Sequence, residues 1–141
     1  MSLLKNQGFN IVKVAINNAA LITLQSVPVV LVPAQGAGKA IQVVGASVNY
    51  TFGGAAFGAA NALIIHSASV ATPATDYQAI CIKILPAGAN TFQQFGIQDI
   101  SLASLAPSII ANDNLVVSAD IDDATGTGNV DIYLIYMVIN V

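Results

Sequence analysis

The chain has 141 residues, of which 55% are hydrophobic and only 8% are charged, and its formal net charge is −3 at pH 7. The length suits one domain with a core of its own. All basic side chains are lysines and none is arginine, so the composition argues against nucleic acid as a partner, which would require clustered cations.

The side chains that are present favour strands over helices. Glutamate and arginine are absent, and valine, isoleucine, threonine, glycine and asparagine are abundant. A charged fraction of about a quarter is ordinary for a globular protein, so this chain has few charges with which to cover a surface. We therefore expect part of its apolar surface to be buried between subunits, as in obligate interfaces.

A membrane span is not expected. Residues 14–38 are a region of 25 residues without charge, but asparagine, glutamine, serine and proline interrupt it. A spanning helix needs about 20 predominantly apolar residues in succession. The first ten residues, MSLLKNQGFN, also lack the apolar region of a secretory signal, so the sequence predicts a soluble chain without a cleaved signal.

The first elements in chain order are short. Residues 1–8 are a loose start, 9–16 and 20–26 are predicted strands with a turn between them, and Pro28 opens an extended piece at 28–33. The next stretch, VPAQGAGK, resembles a phosphate loop only superficially, because Pro33 stands where that motif has its first glycine and Ala40 where it has a hydroxyl. We interpret it as a flexible connector and expect no nucleotide or other cofactor.

Residues 39–52 are predicted to form a long strand with a bulge. Its second half alternates, with Val48 and Tyr50 on one face and Asn49 and Thr51 on the other. The first half alternates with the opposite parity, and one extra residue in a strand reverses its faces. The switch at Val43-Val44-Gly45 therefore predicts a β-bulge. A turn at 53–61 and a strand at 62–67 follow.

The second half of the chain continues the pattern. A strand at 77–85 contains Cys81, which we interpret as a small buried hydrophobe, with a reactive thiol as the less favoured alternative. Residues 91–97 are short and extended, and 99–110 fit either a strand with a loop or a helical turn. A strand at 114–121, a hairpin connection at 122–129 and a last strand at 130–141 complete the chain.

The last strand is apolar on both faces. One face carries Val130, Ile132 and Leu134, and the other carries Tyr133, Ile135 and Met137. A strand with two apolar faces is buried on both. In a two-layer sandwich one face meets the core, so the other must meet another subunit or a covering arm.

About eight short strands separated by turn signals indicate an all-β fold, an antiparallel β-sandwich of the jelly-roll type. We expect one domain overall, in which residues 1–38 are an extended N-terminal arm with the first strands and 39–141 are the jelly roll.

The sequence contains no recognisable catalytic motif, so we do not expect an enzyme. His66 is the only histidine and follows an apolar run, which is typical of a partly buried strand residue. One histidine and one cysteine cannot supply the four ligands of a structural zinc site. Asp120, Asp122 and Asp123 are a weak Ca²⁺ candidate because loop oxygens bind that ion, but a solvated hairpin is the favoured interpretation.

Two stretches resemble small bacteriophage virion proteins of the trimeric jelly-roll type. They are LVPAQGAGKAIQVVGASVNYTFGG and NDNLVVSADIDDATGTGNVDIYLIYMVINV. The resemblance implies a β-sandwich that forms a homotrimer through sheet faces and serves as a capsid decoration, head-fibre or tail-appendage protein in the virion. Many relatives end on an arginine-containing strand, whereas this chain ends on IYMVINV.

From this resemblance we expect a non-enzymatic structural component with two kinds of contact. The subunit interface is predicted on the last strand, and attachment to capsid or tail is predicted through the N-terminal arm. The predicted subunit-interface residues are Tyr133, Ile135 and Met137, and the predicted arm contacts are Leu3, Leu4, Phe9, Ile11, Val29, Val30 and Leu31. The alternative is a trimeric module that binds a host receptor or glycan through loops 53–60, 67–76 and 122–129.

Overall fold

A computed structural model describes residues 8–58, 61–70, 80–82, 84–96 and 110–141 of the chain. Within these ranges lie eight β-strands and one short α-helix. In chain order they are β1 (Asn10–Ile16), α1 (Asn18–Leu21), β2 (Val29–Val32), β3 (Lys39–Phe52), β4 (Leu63–Ser67), β5 (Ile80–Ile82), β6 (Thr91–Gly96), β7 (Leu115–Ala119) and β8 (Gly128–Asn140).

The strands form two four-stranded sheets in which every pairing is antiparallel. The first sheet has the order β1-β8-β3-β6 and the second sheet has the order β2-β7-β4-β5. Among the described strands, β4 and β5 are the one consecutive pair that belongs to the same sheet, and every other consecutive pair is divided between the two sheets. This is the jelly-roll arrangement of two Greek keys, and it confirms the predicted fold class.

The core lies between the two sheets. The first sheet contributes alternate residues of β3 and β8, such as Val48, Tyr50, Ile132 and Leu134, and all of them are fully buried. The second sheet contributes Leu63, Ile65, Leu115, Val117 and Ala119 in the same alternating way. Because successive side chains of a strand point to opposite faces, this core also fixes which residues face outward.

The predicted bulge in β3 is confirmed. Val43 pairs with Tyr136 and Gly45 pairs with Ile135, so Val44 is the extra residue that has no partner of its own on β8. The bulge explains how a strand with two opposite parities still directs its apolar residues toward one core.

Two predicted elements are wrong. Residues 20–26 are not a strand, because the Asn17 side chain accepts the N–H of Ala20 at 3.0 Å and caps helix α1, and Leu21 and Leu24 enter the core from the helix and the turn that follows it. Residues 122–129 are not a hairpin, because β7 and β8 belong to different sheets and this segment crosses between them.

The first part of the predicted arm belongs to the sandwich. β1 pairs with β8 at one edge of the first sheet, and β2 pairs with β7 at the edge of the second sheet. Residues 10–16 and 29–32 are therefore structural strands. Residues 1–7 lie outside the described part of the chain, so attachment through the N-terminus stays a prediction.

Candidate assembly surface

The outward side of the first sheet, which we call the open face, is the main candidate site. Its rows of side chains follow from the strand register, since the alternate residues of the same strands point into the core. Its outward positions are Ile11, Lys13 and Ala15 of β1, Asp131, Tyr133 and Ile135 of β8, Gly45, Ser47 and Asn49 of β3, and Phe92 and Gln94 of β6.

Large apolar side chains are exposed across the open face. Ile11 is 73% exposed and Phe92 is 57% exposed, at opposite edges of the sheet. Tyr133 and Ile135 on the central strand β8 are each exposed by more than a third. Phe9, which directly precedes β1 and continues its alternation, is 66% exposed. The group formed by Phe9, Ile11, Tyr133 and Ile135 is of a kind that is typical of sites where another protein binds, whereas the polar residues Ser47 and Asn49 of β3 separate this group from Phe92.

The charges on the open face neutralise each other. The Lys13 ammonium lies 2.9 Å from a carboxylate oxygen of Asp131 and 5.4 Å from the ring centroid of Tyr133. The hydrogen bond to Asp131 raises the pKa of Lys13 above its usual value, and Tyr133 adds to this effect. These two are the only charged residues among the outward positions of the described strands β1, β8, β3 and β6, so the face carries no net charge.

The outward side of the second sheet is different, because it is already buried within one chain. Ile64 and His66 of β4 and Val116 and Ser118 of β7 point away from the core, and each is at least nine-tenths buried. The two outer faces are therefore unequal, and the open face is the one available to a partner.

His66 has a structural environment. Its Nδ1 lies 2.8 Å from the carbonyl oxygen of Ser67, so this nitrogen donates, and its Nε2 lies 2.9 Å from the Ser118 hydroxyl. A serine beside a histidine is the geometry of a nucleophile and its base. Both side chains are buried, however, and a substrate cannot reach them. The pair instead connects the adjacent strands β4 and β7.

The three aspartates of the Ca²⁺ candidate are not brought together as a metal site. Asp122 accepts the backbone N–H groups of Gln25 and Ser26, whereas Asp123 accepts the N–H of Gly58 at 2.6 Å. The side-chain hydrogen bond from Ser26 lowers the pKa of Asp122. Among the described residues, no group of three or more acidic, histidine or cysteine side chains could hold a metal ion.

Two of the three loops of the alternative receptor-binding hypothesis meet within the described residues. Residues 53–58 and 122–129 lie together at one end of the sandwich, where the Phe57 ring packs directly against Gly126 and no room remains for a side chain there. β4 runs away from this end, so the loop that begins at Ser67 starts at the opposite end. Residues 71–79 of that loop lie outside the described part of the chain.

The predicted interface residues lie in different environments. Tyr133 and Ile135 lie on the open face, Met137 continues their alternation and is half-buried, and Phe9 and Ile11 extend the same face. Val30 is exposed on β2, Val29 is half-buried against the core, and Leu31 is buried in the core. Leu31 is therefore wrong as an arm contact, because the sandwich already uses its side chain. Leu3 and Leu4 lie outside the described residues.

Sequence reasoning missed two features of this surface. Phe92 was predicted only as part of a short extended piece, and the Lys13–Asp131 pair was not predicted at all. Both depend on which strands are neighbours, since β1 and β8 are more than 100 residues apart in the chain. A lysine on one apolar strand and an aspartate on another were the available signal, but the sequence does not show their register. Cys81 lies in β5, and its backbone pairs with Ile64, so the prediction for its side chain stays untested.

Comparison with known proteins adds little beyond the fold. No family model matches the chain, and a search of curated proteins finds no match.

No helix in the described ranges is long and apolar enough to cross a membrane.

Two solved structures are similar. A chain of the Cyanophage Pam1 capsid asymmetric unit is 14% identical with a TM-score of 0.49, and a chain of the capsid of Ralstonia phage GP4 is 15% identical with a TM-score of 0.45. Each alignment covers 94% of this chain and 84% of the other. At these identities the likeness concerns only the fold.

Proposed function

We propose that this protein is a non-enzymatic structural component of a phage virion that assembles as a homotrimer through its open face and attaches to the capsid or tail. The carrying observation is the difference between the two outer faces. The outward side chains of β4 and β7 in the second sheet are already buried in a single chain. On the first sheet, the outward side chains of Ile11, Phe92 and Ile135 are exposed. The virion location and the number of three copies are proposed from the sequence resemblance to trimeric virion proteins.

The physical reason for self-association is the apolar area of the open face. Removing apolar surface from water stabilises an assembly by about 25 cal/mol per Å². The described charges that do not belong to the Lys13–Asp131 pair lie near the two ends of the sandwich, for example Asp113 and Asp122. Two copies can therefore bring their open faces together without placing like charges opposite each other.

Light scattering on the purified chain at micromolar concentration tests the oligomeric state. We expect a trimer for the unchanged protein and a monomer for Ile135→Asp, because a buried carboxylate without a partner opposes assembly strongly. The matched control is Ile121→Asp, since Ile121 is 40% exposed and Ile135 is 37% exposed, but Ile121 lies beyond the end of β7, away from the open face. A monomeric unchanged protein, or dissociation by both substitutions, would contradict the proposal.

The virion location needs its own experiment. We expect the chain to be found in purified phage particles by mass spectrometry, and electron cryomicroscopy of those particles to show three-fold density of matching size on the capsid or tail. The Ile135→Asp variant should be missing from particles assembled with it, whereas Ile121→Asp should be retained. Absence of the unchanged chain from purified particles would refute the virion assignment and leave the trimer as a separate question.

A further inference from the structure

Three of the four edge strands carry features that discourage pairing with another chain. β1 has Lys13 at its centre, and β5 has three residues. β2 lies between Pro28 and Pro33, and its register shifts between Val30 and Val32. Charges, prolines, bulges and short length are the usual means by which proteins prevent a free sheet edge from accepting a further strand.

β6 has none of these features. Its six residues, TFQQFG, include no charge and no proline, and they pair with β3 without a shift of register. No described strand pairs with its other side. The sequence around it, residues 84–98, is also free of charged side chains. Among the described edges, β6 is therefore the one best suited to accept a further strand.

The backbone groups on the free side of β6 follow from the alternation of the strands. The Phe52 N–H donates to the side chain of Asn90, just before β6, so residues with even numbers in this half of β3 point their N–H and C=O groups toward β6. Their partners on β6 have odd numbers and point their own groups back. The intervening residues Phe92 and Gln94 therefore direct two N–H donors and two C=O acceptors to the free side.

We propose that the free side of β6 accepts an extended segment of another virion protein, in the capsid or tail, as a fifth strand of the first sheet. This inference rests on the proposed function and names the surface of attachment. Main-chain hydrogen bonds to Phe92 and Gln94 hold the segment. These groups point sideways in the plane of the sheet, so pairing there does not use the open face itself.

The side chains of β6 specify the chemistry of the segment. It is extended, uncharged and without proline over about five residues, because β6 offers no charge for a salt bridge and each paired position needs its N–H. An apolar side chain fits beside Phe92, which is 57% exposed. A side chain that forms hydrogen bonds fits beside the half-buried Gln93 on the other side of the sheet.

A second copy of this chain is a less suitable occupant. Since the other three edges discourage pairing, the matching strand that a copy offers among those described is β6 itself. Two β6 strands would pair about a two-fold axis, and such a contact closes after two copies and is not part of a three-fold ring. Residues 1–7 of a copy contain Lys5, for which β6 has no acidic partner.

Hydrogen exchange of the full chain, free in solution and in purified phage particles, tests the inference. Mass spectrometry with fragmentation resolves the single amides. In the free protein we expect Phe92 and Gln94 to exchange fast, whereas β3 protects Gln93. In particles we expect exchange of Phe92 and Gln94 to slow by at least about tenfold. Equal exchange in both states would overturn the inference.

Two substitutions at one position separate backbone from side chain. Gln94→Pro removes the outward N–H without loss of a hydrogen bond to β3, and Gln94→Ala removes the same side chain but keeps the N–H. For particles assembled with equal amounts of both variants, we expect about tenfold less Gln94→Pro than Gln94→Ala. Equal incorporation would overturn the inference. If Gln94→Pro melts lower or loses its trimer, hydrogen exchange of the unchanged chain decides.

The same measurements distinguish the occupants and the two levels of failure. Slow exchange of Phe92 and Gln94 already in the free trimer would identify a second copy or a segment of the same chain, and either would overturn the inference. If the unchanged chain is a trimer found in particles and these amides gain no protection, the inference fails and the proposed function stands. If the chain is absent from particles, the proposed function fails and the inference fails with it.

Discussion

Asp122 and Asp123 act as anchors for backbone rather than as metal ligands. Asp123 accepts the Gly58 N–H at 2.6 Å with one oxygen and the Thr125 N–H at 2.9 Å with the other. The hydrogen bond from the Thr125 side chain, followed by those from Gly58 and Thr125 backbone, lowers the pKa of Asp123. The sequence predicted a solvated hairpin here, whereas the segment crosses between the two sheets and Asp123 is buried. The sequence could not show that the partners lie about 65 and 97 residues away along the chain, for Gly58 and Gln25 respectively.

Because both carboxylates have a lowered pKa in the folded chain, we expect the stability of the fold to decrease in acid. A group whose pKa is lower in the folded chain stabilises the fold above its unfolded pKa of about 3.9, and this stabilisation disappears as the pH falls through the folded value. We expect the free energy of unfolding to fall below about pH 4, and to fall less steeply in the double variant Asp122→Asn/Asp123→Asn. Urea unfolding followed by circular dichroism at one fixed protein concentration measures this.

The control for the acid prediction is Asp120→Asn, which removes a neighbouring carboxylate that makes none of the contacts to Gln25, Ser26, Gly58 or Thr125. Its profile below pH 4 should follow that of the unchanged protein. Identical acid profiles for the double variant and the unchanged protein would contradict the anchoring role.

Gly126 is required by its contact with Phe57. A Cβ at this position would lie 2.2 Å from the Phe57 ring, which is itself buried, so the ring would have to leave its site. We expect Gly126→Ala to lower the free energy of unfolding by about 1–3 kcal/mol, as overpacking does. Gly88→Ala is the control, because no atom lies within 4 Å of its added Cβ. Equal stability of the two variants in urea titration would contradict this explanation.

Among the secondary-structure elements, the long alternating strands were predictable from the sequence, and the short capped helix α1 was not. The parity switch of β3 identified both the strand and its bulge. Residues 20–26 are largely apolar and were predicted as a strand, yet the Asn17 side chain accepts the N–H of Ala20 and caps helix α1, which begins at Asn18. Local propensity is a weak prior where a cap and the burial of Leu21 and Leu24 compete with it.

The bulge predicts which residue of β3 can be deleted. Removing Val44 leaves Val43 opposite Tyr136 and Gly45 opposite Ile135, so both halves of β3 keep their faces and the ladder becomes regular. Removing Ser47 from the regular half reverses the faces of the residues on one side of the deletion. We expect the Val44 deletion to fold with a melting temperature within several degrees of the unchanged protein, and the Ser47 deletion to be unfolded.

Circular dichroism and thermal melting of the two deletion variants provide the comparison. If the Val44 deletion is as unstable as the Ser47 deletion, the bulge has a structural role that the register does not explain. A substitution control, Val44→Ala, separates the loss of the side chain from the loss of the residue, and it should behave like the Val44 deletion or better.

For the whole molecule, the sequence predicted an all-β sandwich but not its sheet order. β8 is apolar on both faces, so the sequence could predict a second contact for Tyr133 and Ile135. The same reasoning could not distinguish the covered outer face of the second sheet from the bare open face. Ile64 and Val116 are outward residues as apolar as Ile11 and Ile135, and only the assembled chain shows which pair is already buried.

The composition of the open face predicts how the assembled molecule responds to salt. Attraction between charged surfaces weakens when ionic strength rises, whereas burial of apolar surface is strengthened by excluded salts such as sulfate. The open face carries one internally neutralised pair, Lys13 and Asp131, and several exposed apolar side chains. We expect the proposed trimer to keep its mass from about 0.05 M to about 0.5 M NaCl. Sulfate should stabilise it relative to NaCl, so that a lower protein concentration is needed to dissociate it. Its association should have a negative heat-capacity change. Analytical ultracentrifugation and dilution calorimetry measure these responses, with Ile121→Asp as the control that changes net charge outside the face. Dissociation on adding NaCl alone would indicate that charge pairs between copies, rather than the apolar open face, hold the molecule together.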